Sequence, residues 1–461
     1  MKQTAKGNFD LTKGKILDRL LLVALPIMGI QLMQMAYNLT DMFWLGRVSS
    51  DAVAASGTAG MYMWLSAAFL FLGRTGAEIG VSQNLGKGKA DLARAYAQNA
   101  LLLSAVSGVL FGACMIIFRH PLIGFFHIQE AHVAADAAIY LAVAAIGIPM
   151  SFVSGAITGA FNGSGNSRLP FYINAVGLVV NVILDPILIM SAGWGIMGAA
   201  AATSIAQALV CALFLVAVKK SAGRPFSHFT FFSKADLNIL KQIFRWALPV
   251  GLESLLFTVL SMFISRFVAA FGSDAIAVQR VGSQIESLTW LIGGGFGSAL
   301  TAFFGQNYGA GKWSRIHRGF KLATVAMIGW GIFVTLLLFF LASPLFRIFL
   351  PAPDIVAAGT VYLRILSSCQ ILACLEAVAA GCFRGIGKTV PPSVVSIVGN
   401  ALRVPLAYFL STTSLGITGI WWGVAIGASA RGIWVFIWYL VDSRKMPQED
   451  EPIASGQVQL I

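Results

Sequence analysis

Twelve long apolar stretches run through the chain, and they constrain its fold more than any other feature. A helix needs about 20 mostly apolar residues to cross the hydrocarbon core of a bilayer. Of the 461 residues, 57% are hydrophobic and only 11% are charged, whereas a soluble domain carries roughly 25% charged residues. The sequence therefore predicts an all-α integral membrane protein. The twelve predicted transmembrane helices are 16–46, 52–85, 92–118, 136–160, 169–190, 196–218, 237–270, 275–308, 319–342, 356–381, 392–411 and 417–441.

Basic residues are distributed unevenly over the gaps between these stretches. Of the 32 Lys and Arg residues, 23 fall in the two termini, in every second gap or at the helix ends that border them, and six fall deeper inside the stretches. The opposite gaps hold only Arg47, Arg119 and Arg347. This bias predicts an even number of helices, with both termini in the cytoplasm. The expected location is a prokaryotic inner membrane, which the protein crosses many times. The net charge of +13 does not indicate nucleic-acid binding, because the basic residues lie in short gaps rather than on one face.

The chain contains an internal repeat, because several motifs of the first half recur in the same order and at a nearly constant spacing in the second. Three of these matches are Ala-Leu-Pro at 24–26 and 247–249, QNLGKGK at 83–89 and QNYGAGK at 306–312, and GAFNGSG at 159–165 and GCFRGIG at 381–387. Each copy holds six helices, so the copies enter the membrane from the same side as parallel repeats around a central cleft. The predicted organisation is an N-lobe over 1–222, a cytoplasmic linker over 223–236, a C-lobe over 237–445 and a cytoplasmic tail over 446–461.

This architecture is typical of transporters that bind substrate in a cleft between two lobes. The segment GCFRGIGKT at 381–389 resembles a nucleotide-binding P-loop, but its spacing between glycine and lysine is wrong. The expected energy source is therefore an ion gradient or the gradient of the substrate itself, with no cofactor. The expected partners are small organic molecules and the lipid bilayer, with the protein acting as a monomer.

Carboxylates inside the apolar stretches are the candidate functional groups. A charge at the bilayer centre costs about 2.5–3.5 kcal/mol on insertion scales, so such residues are functional by default. In the first predicted helix Asp41 shares a helical face with Gln34 and Tyr37, and in the fifth Asp185 lies one turn after Asn181. With Thr203 of the sixth helix, these oxygens could bind Na⁺, a hard cation, or share a proton. The alternative is a pair of water-exposed acids near the outer helix ends.

Other residues are candidates for the cavity and for conformational change. We expect Gln34, Tyr37 and Asn38 to face the substrate cavity, and the acids Glu286 and Glu376 of the second half are candidates for the same role. Pro26 interrupts the hydrogen bonding of the helix that carries Asp41, which predicts a hinge there. Glu253 lies one turn after Pro249, where a structural role is favoured.

The motifs together resemble those of multidrug and toxic compound extrusion (MATE) transporters. The resemblance rests on Ala-Leu-Pro at the start of both halves, NLTDMFWLGRV at 38–48, the paired QNxGxGK turns and GAFNGSGNS at 159–167, and it spans about residues 10 to 445. It implies twelve helices in two lobes and export of organic, often cationic, drugs in exchange for a cation. Matching positions imply a cation site at Asp41, Asn181, Asp185 and Thr203, as in the DinF-like branch, and a helix bend at Pro26. In another branch an essential acid falls at Phe257; here Glu253 is one turn away.

The motifs and the membrane carboxylates are compatible with three functions. The first is a secondary active multidrug exporter coupled to H⁺ or Na⁺ by alternating access. The second is a flippase for lipid-linked oligosaccharides of the same superfamily, which needs a basic cavity; the basic candidates are Arg266, Arg280, Arg403 and Arg431. The third, an integral membrane enzyme, is disfavoured because no clustered catalytic His/Asp motif occurs. The sequence determines neither the substrate nor the choice between H⁺ and Na⁺.

Overall fold

The computed structural model describes residues 10–128, 130–221, 223, 225–231, 234–350 and 352–450. The described residues form fifteen α-helices and one π-helix, and they contain no β-strand. The helices of the first half are α1 Ile16–Val48, α2 Ser50–Gly86, α3 Ala90–Ile117, α4 Arg119–Gly124, α5 Ala131–Gly163, α6 Arg168–Pro186, the π-helix Ile187–Ser191 and α7 Gly195–Lys220. Those of the second half are α8 Leu237–Ala269, α9 Ser273–Gly309, α10 Trp313–Phe340, α11 Ala342–Phe349, α12 Pro353–Ser367, α13 Gln370–Gly385, α14 Val390–Ser411 and α15 Ile417–Ser443.

The long helices match the predicted membrane spans. Within the described residues, 11 helices are long and apolar enough to cross a bilayer, and the count becomes 12 when the bent pair α12 and α13 forms one span. The predicted all-α membrane fold is confirmed. The short helices α4 and α11, which occupy equivalent positions in the two halves, were not predicted from the sequence.

The tenth span, predicted as one continuous helix over 356–381, is broken, and this part of the prediction was wrong. The helices α12 and α13 meet at an angle of 46°. At the break the Ser367 and Ser368 hydroxyls donate to backbone carbonyls three residues earlier, at 2.7 and 2.6 Å. The Cys369 thiol does the same at 3.2 Å. Side-chain bonds of this kind compete with the backbone ladder of a helix and bend it.

Two compact units divide the chain. Leu25–Gly251 forms the body of the first unit, and Gly14–Ala24 groups with the residues from Leu252 onward in the second. Buried apolar clusters of the first unit include one around Leu141 and one around Phe161. In the second unit, one buried cluster surrounds Trp421, and buried aromatic rings such as Phe304 and Tyr439 contact each other outside it. The predicted lobe and linker boundaries remain a prediction.

Close helix packing inside each unit follows the sequence repeat. A Cβ atom on Gly163 of α5 would lie 2.6 Å from the backbone oxygen of Glu78 in α2. A Cβ atom on Gly385 of α13 would lie 2.9 Å from the backbone oxygen of Thr301 in α9. Each pair is displaced from the other by the repeat offset, so both halves use glycine to bring the same two helices into backbone contact. The repeat read from the sequence is thus present in the packing.

Candidate cation site

Three helices of the first unit place polar groups around one point. Asp41 lies in the last third of α1, Asn181 and Asp185 lie in the last two turns of α6, and Thr203 lies in α7. Asn181 and Asp185 are separated by one helical turn, so helical geometry puts both on one face. Both are fully buried, whereas Asp41 is half-buried.

Hydrogen bonds connect the four predicted site residues. The Asn181 amide donates to Asp185 Oδ1 at 3.1 Å. The Thr203 hydroxyl donates to Asp41 Oδ2 at 3.4 Å. The two carboxyl groups lie within hydrogen-bonding reach of one another, and the Asn181 side chain lies within reach of Asp41 as well. The structure therefore brings Asp41, Asn181, Asp185 and Thr203 together as the sequence predicted.

Three oxygens at this point are buried and have no hydrogen-bond partner. They are Asp41 Oδ1, Asp185 Oδ2 and Asn181 Oδ1. Buried polar atoms are normally hydrogen-bonded, and leaving one unsatisfied costs about 1–3 kcal/mol. A desolvated Na⁺ or a proton would satisfy them, because hard cations prefer carboxylate and amide oxygens. The two acids also repel one another when both are ionised, and either cation removes that repulsion.

The backbone changes character immediately after Asp185. Pro186 ends α6, and the next five residues, Ile187–Ser191, form a π-helix in which the Ala192 N–H donates to the Ile187 carbonyl at 2.8 Å. Gly193 then adopts a positive φ of 70° before α7 begins. Segments of π-helix are rare and concentrate at functional sites. Here the π-helix joins the two helices α6 and α7, which both contribute to the site.

Two tyrosines complete the surroundings of the acids. The Tyr37 hydroxyl donates to the Thr203 carbonyl at 3.5 Å, so this predicted cavity residue belongs to the site. Tyr140 of α5 lies close enough to interact electrostatically with both Asp41 and Asp185. Sequence reasoning missed Tyr140 because it stands alone in an apolar run. A single tyrosine in an apolar stretch does not indicate a functional site. Only the tertiary fold brings Tyr140 within electrostatic range of the acids.

The other predicted cavity residues are Gln34, Asn38, Glu286 and Glu376. Gln34 is exposed, and the side chain of Asn38 is outside the described part of the structure. Glu286 and Glu376 belong to the second unit, where Glu376 pairs with Arg431 at 3.5 Å. Their assignment to a substrate cavity remains a prediction.

Glu253 of α8 is held by partners from two other helices of the second unit. Arg384 of α13 donates to its Oε2 at 3.1 Å, and the Ser393 hydroxyl of α14 donates to the same oxygen at 2.9 Å. These contacts link α8, α13 and α14, which explains the position of Glu253 by a structural role.

The fold defines an all-α, multi-pass membrane protein whose second half repeats its first. A sequence profile of the MatE family matches residues 26–187 and again residues 249–409. The chain belongs to the MatE family. The two matches start at Pro26 and Pro249, the prolines of the two Ala-Leu-Pro motifs. This confirms the repeat, and the family resemblance seen in the motifs is confirmed as well.

Curated relatives match along almost their whole length. The "Probable multidrug resistance protein NorM" of Thermotoga maritima is 23% identical over 432 residues, with 92% of each chain covered. The "Multidrug resistance protein PmpM" of Pseudomonas aeruginosa is 24% identical over 453 residues, with 94% of this chain and 93% of that one covered.

Solved structures share the fold. One is described as an outward-facing conformation of a multidrug resistance MATE family transporter of the MOP superfamily. It has a TM-score of 0.87 and 23% identity, covering 96% of this chain and 99% of that one. A MOP superfamily transporter from Pyrococcus furiosus has a TM-score of 0.89 at 22% identity, with the same coverage.

Proposed function

We propose that this protein is a secondary active multidrug exporter that exchanges small organic compounds, often cationic, for H⁺ or Na⁺. Membership of the MatE family makes the chain a transporter rather than an enzyme. Two relatives of nearly equal length carry the words "multidrug resistance protein" in their names, which supports organic compounds as the substrate class.

The observation that carries the coupling proposal is the contact between Asp41 and Asp185. The half-buried Asp41 and the buried Asp185 share one point with an amide and a hydroxyl, and three buried oxygens of this group, two from the acids and one from the Asn181 amide, have no hydrogen-bond partner in the protein. Such a group is costly when both acids are ionised without a cation and favourable when a cation is held between them. Binding of one coupling ion therefore stabilises one arrangement of α1, α6 and α7, and its release favours another.

Coupling needs a part of the molecule that responds to the charge of the site. Pro26 lies inside α1, about four turns before Asp41, and its ring removes one backbone hydrogen bond of that helix. A change of charge at Asp41 would then alter the bend of α1, and with it the access of substrate and ion. The assignment of the chain to the DinF-like branch, with its cation site in the first lobe, belongs to this proposal.

The remaining parts of the proposal concern the setting of the protein. It acts as a monomer in a prokaryotic inner membrane. The distribution of basic residues supports a cytoplasmic location of both termini. It needs no cofactor beyond the coupling ion.

The flippase alternative receives no support from the arginines that suggested it. Arg403 and Arg431 are buried; Arg431 forms an ion pair with Glu376 at 3.5 Å, and Arg403 donates to the Ser261 hydroxyl at 2.6 Å. The other two candidates, Arg266 and Arg280, are exposed.

The experiment is transport in liposomes containing the purified protein. A Na⁺ gradient and a proton gradient are imposed separately, and the movement of a fluorescent organic cation is followed. The wild type should respond to at least one gradient. Asp41→Asn and Asp185→Asn should each abolish the response, because an amide cannot supply the negative charge that holds the cation.

Asp354→Asn is the matched control, because Asp354 is an exposed acid in the first turn of α12. It should transport like the wild type. Unchanged gradient-driven transport in Asp41→Asn would refute coupling at this site. A wild-type protein that moves no organic cation under either gradient would refute the exporter proposal itself.

A further inference from the structure

After the last helix of each half, the chain folds back onto its own unit. The segment 225–231 follows α7 and lies against α3 of the first unit. The segment 447–450 follows α15 and lies against α10 of the second unit. We call these segments the first strap and the second strap.

One backbone contact is common to the two straps. In the first unit the Arg94 side chain of α3 donates from Nε to the Pro225 carbonyl at 3.4 Å. In the second unit the His317 ring of α10 donates from Nε2 to the Pro447 carbonyl at 3.0 Å, since a carbonyl oxygen can only accept. Arg94 and His317 are related by the same offset that separates the QNLGKGK and QNYGAGK turns. The repeat therefore extends beyond the helices to the segments that follow them.

The first strap is fixed by burial. Phe226 is only 3% exposed, and its ring packs on Phe161 of α5 with the centroids 4.2 Å apart. Gln98 of α3 donates to the carbonyl and to the hydroxyl of Thr230, at 2.9 and 2.7 Å. Removing this strap from the first unit would expose a large aromatic side chain to water, which is unfavourable.

The second strap is exposed and is held by polar contacts. The backbone N–H and the hydroxyl of Ser314 donate to Asp450 Oδ1 at 3.0 and 2.9 Å. The backbone N–H of Ser314 and the nearby cations Lys312 and Arg315 hold the pKa of Asp450 below its usual value. The Asp450 carboxyl therefore stays ionised at neutral pH.

The start of α10 lacks a negative charge of its own. The equivalent helix α3 carries Asp91 in its first turn, whereas the first turn of α10, whose residues are all described, contains no acid. Ser314 occupies in α10 the position that Asp91 occupies in α3. Carboxylates stabilise helix N-termini, because the unpaired N–H groups there carry a partial positive charge. Asp450 thus brings to α10 the charge that α3 provides for itself.

We propose that the second strap is a detachable cap of α10, which ties the segment after α15 to the start of α10 through the Asp450 carboxylate. An exposed charge contact of this kind is screened by salt, so the strap can be released without unfolding the helices. The first strap, in contrast, stays docked through the buried Phe226 ring. This inference does not depend on the proposed function, because none of these residues belongs to the candidate cation site.

The first test measures hydrogen–deuterium exchange of the first turn of α10 in the purified protein. A chain that ends at Met446 should exchange there roughly fivefold faster, the ratio expected for loss of a helix cap of typical strength. Asp450→Ala in the full chain should have the same effect, and Glu449→Ala, at the adjacent exposed acid, should have none. Ser314→Asp in the shortened chain installs the acid of α3 and should restore slow exchange.

The second test measures detachment with a spin label on Glu449→Cys. The background carries Cys114→Ser, because Cys114 is exposed and the other four cysteines are buried. Ser314→Asp in the full chain places two carboxylates together and should make the label mobile, as should a salt concentration of about 1 M. Exchange at the first turn of α3 should not respond to salt.

Two results would overturn the inference. Unchanged exchange of α10 in the chain that ends at Met446 would show that the strap is not a cap. A label that stays immobile both in Ser314→Asp and at high salt would show that it does not detach. If the shortened chain does not fold, folding restored by Ser314→Asp supports the cap, and folding that is not restored overturns it.

Discussion

Asn181 donates a hydrogen bond to Asp185 across one turn of α6, at 3.1 Å, and leaves the second oxygen of that carboxyl without a partner. The bond orients the carboxyl while keeping one oxygen free for a cation. Orientation of a ligand by a neighbouring polar group is a common feature of ion sites, and loss of such a neighbour typically costs about 10–100-fold in affinity.

Asn181→Ala should therefore weaken cation coupling without abolishing transport. We expect the Na⁺ or proton concentration for half-maximal transport to rise roughly tenfold, since a hydrogen bond to a charged group contributes about 1.5–3 kcal/mol. The control is Asn174→Ala in the same helix, where the amide donates to the Pro170 carbonyl at 2.7 Å and lies outside the site. Equal effects of the two substitutions would argue against a role of Asn181 in ion binding.

Tyr140→Phe should lower cation affinity by a smaller amount. The hydroxyl lies within electrostatic range of both acids, and its removal takes away one polar neighbour, for which we expect a cost of about 0.5–1.5 kcal/mol. The measurement is the same ion dependence of transport. Tyr172→Phe, at an exposed position of α6, should leave it unchanged. An unaltered ion dependence in Tyr140→Phe would show that the hydroxyl does not contribute.

Pro26→Ala should slow transport while leaving the protein folded. Alanine restores a backbone N–H to the middle of α1 and favours a straight helix, since proline in a helix interior costs about 3 kcal/mol. The comparison is Pro249→Ala at the equivalent position of α8, which carries Ile264 where α1 carries Asp41. We expect the larger loss of transport rate for Pro26→Ala. Equal rates for Pro26→Ala and the wild type would refute the hinge.

Gly163→Ala should destabilise the first unit. The added methyl would lie 2.6 Å from the Glu78 carbonyl oxygen of α2, so the two helices must separate, and overpacking of this kind costs on the order of 1–3 kcal/mol. Thermal unfolding in detergent measures the loss. Gly60→Ala is the control, because no atom lies within 4 Å of its Cβ position; it should be neutral or slightly stabilising. A melting temperature unchanged in Gly163→Ala would contradict the packing.

Glu253→Gln should reduce stability and leave the ion dependence of transport intact. The substitution weakens the contacts with Arg384 and Ser393, and the side chains of Glu253 and Arg384 are 20% and 28% exposed, so the expected loss is about 1–3 kcal/mol. Adding Arg384→Gln should recover part of it by removing the unpaired charge. A changed ion preference in Glu253→Gln would instead indicate a coupling role for this acid.

Much of the architecture could be predicted because it depends on local and periodic features of the sequence. An apolar stretch of sufficient length predicts a membrane span. In lipid such a stretch must be helical, because a helix satisfies all backbone hydrogen bonds within one segment. The constant offset between motifs such as QNLGKGK and QNYGAGK reveals the duplication. The break between α12 and α13 was not predictable in this way, because it depends on which of several hydroxyls and thiols bond back to the helix.

For the candidate site, the sequence by itself determined which residues are unusual. Asp41 and Asp185 are acids inside membrane spans, where lipid disfavours charge. Asn181 shares a helical face with Asp185. Only the tertiary structure decided that the two acids meet and that Tyr140 lies within electrostatic range of both. The physical reason is the range of each interaction. Hydropathy and helical periodicity act between near neighbours in the chain, whereas charges separated by many residues pair only after packing has placed their helices side by side.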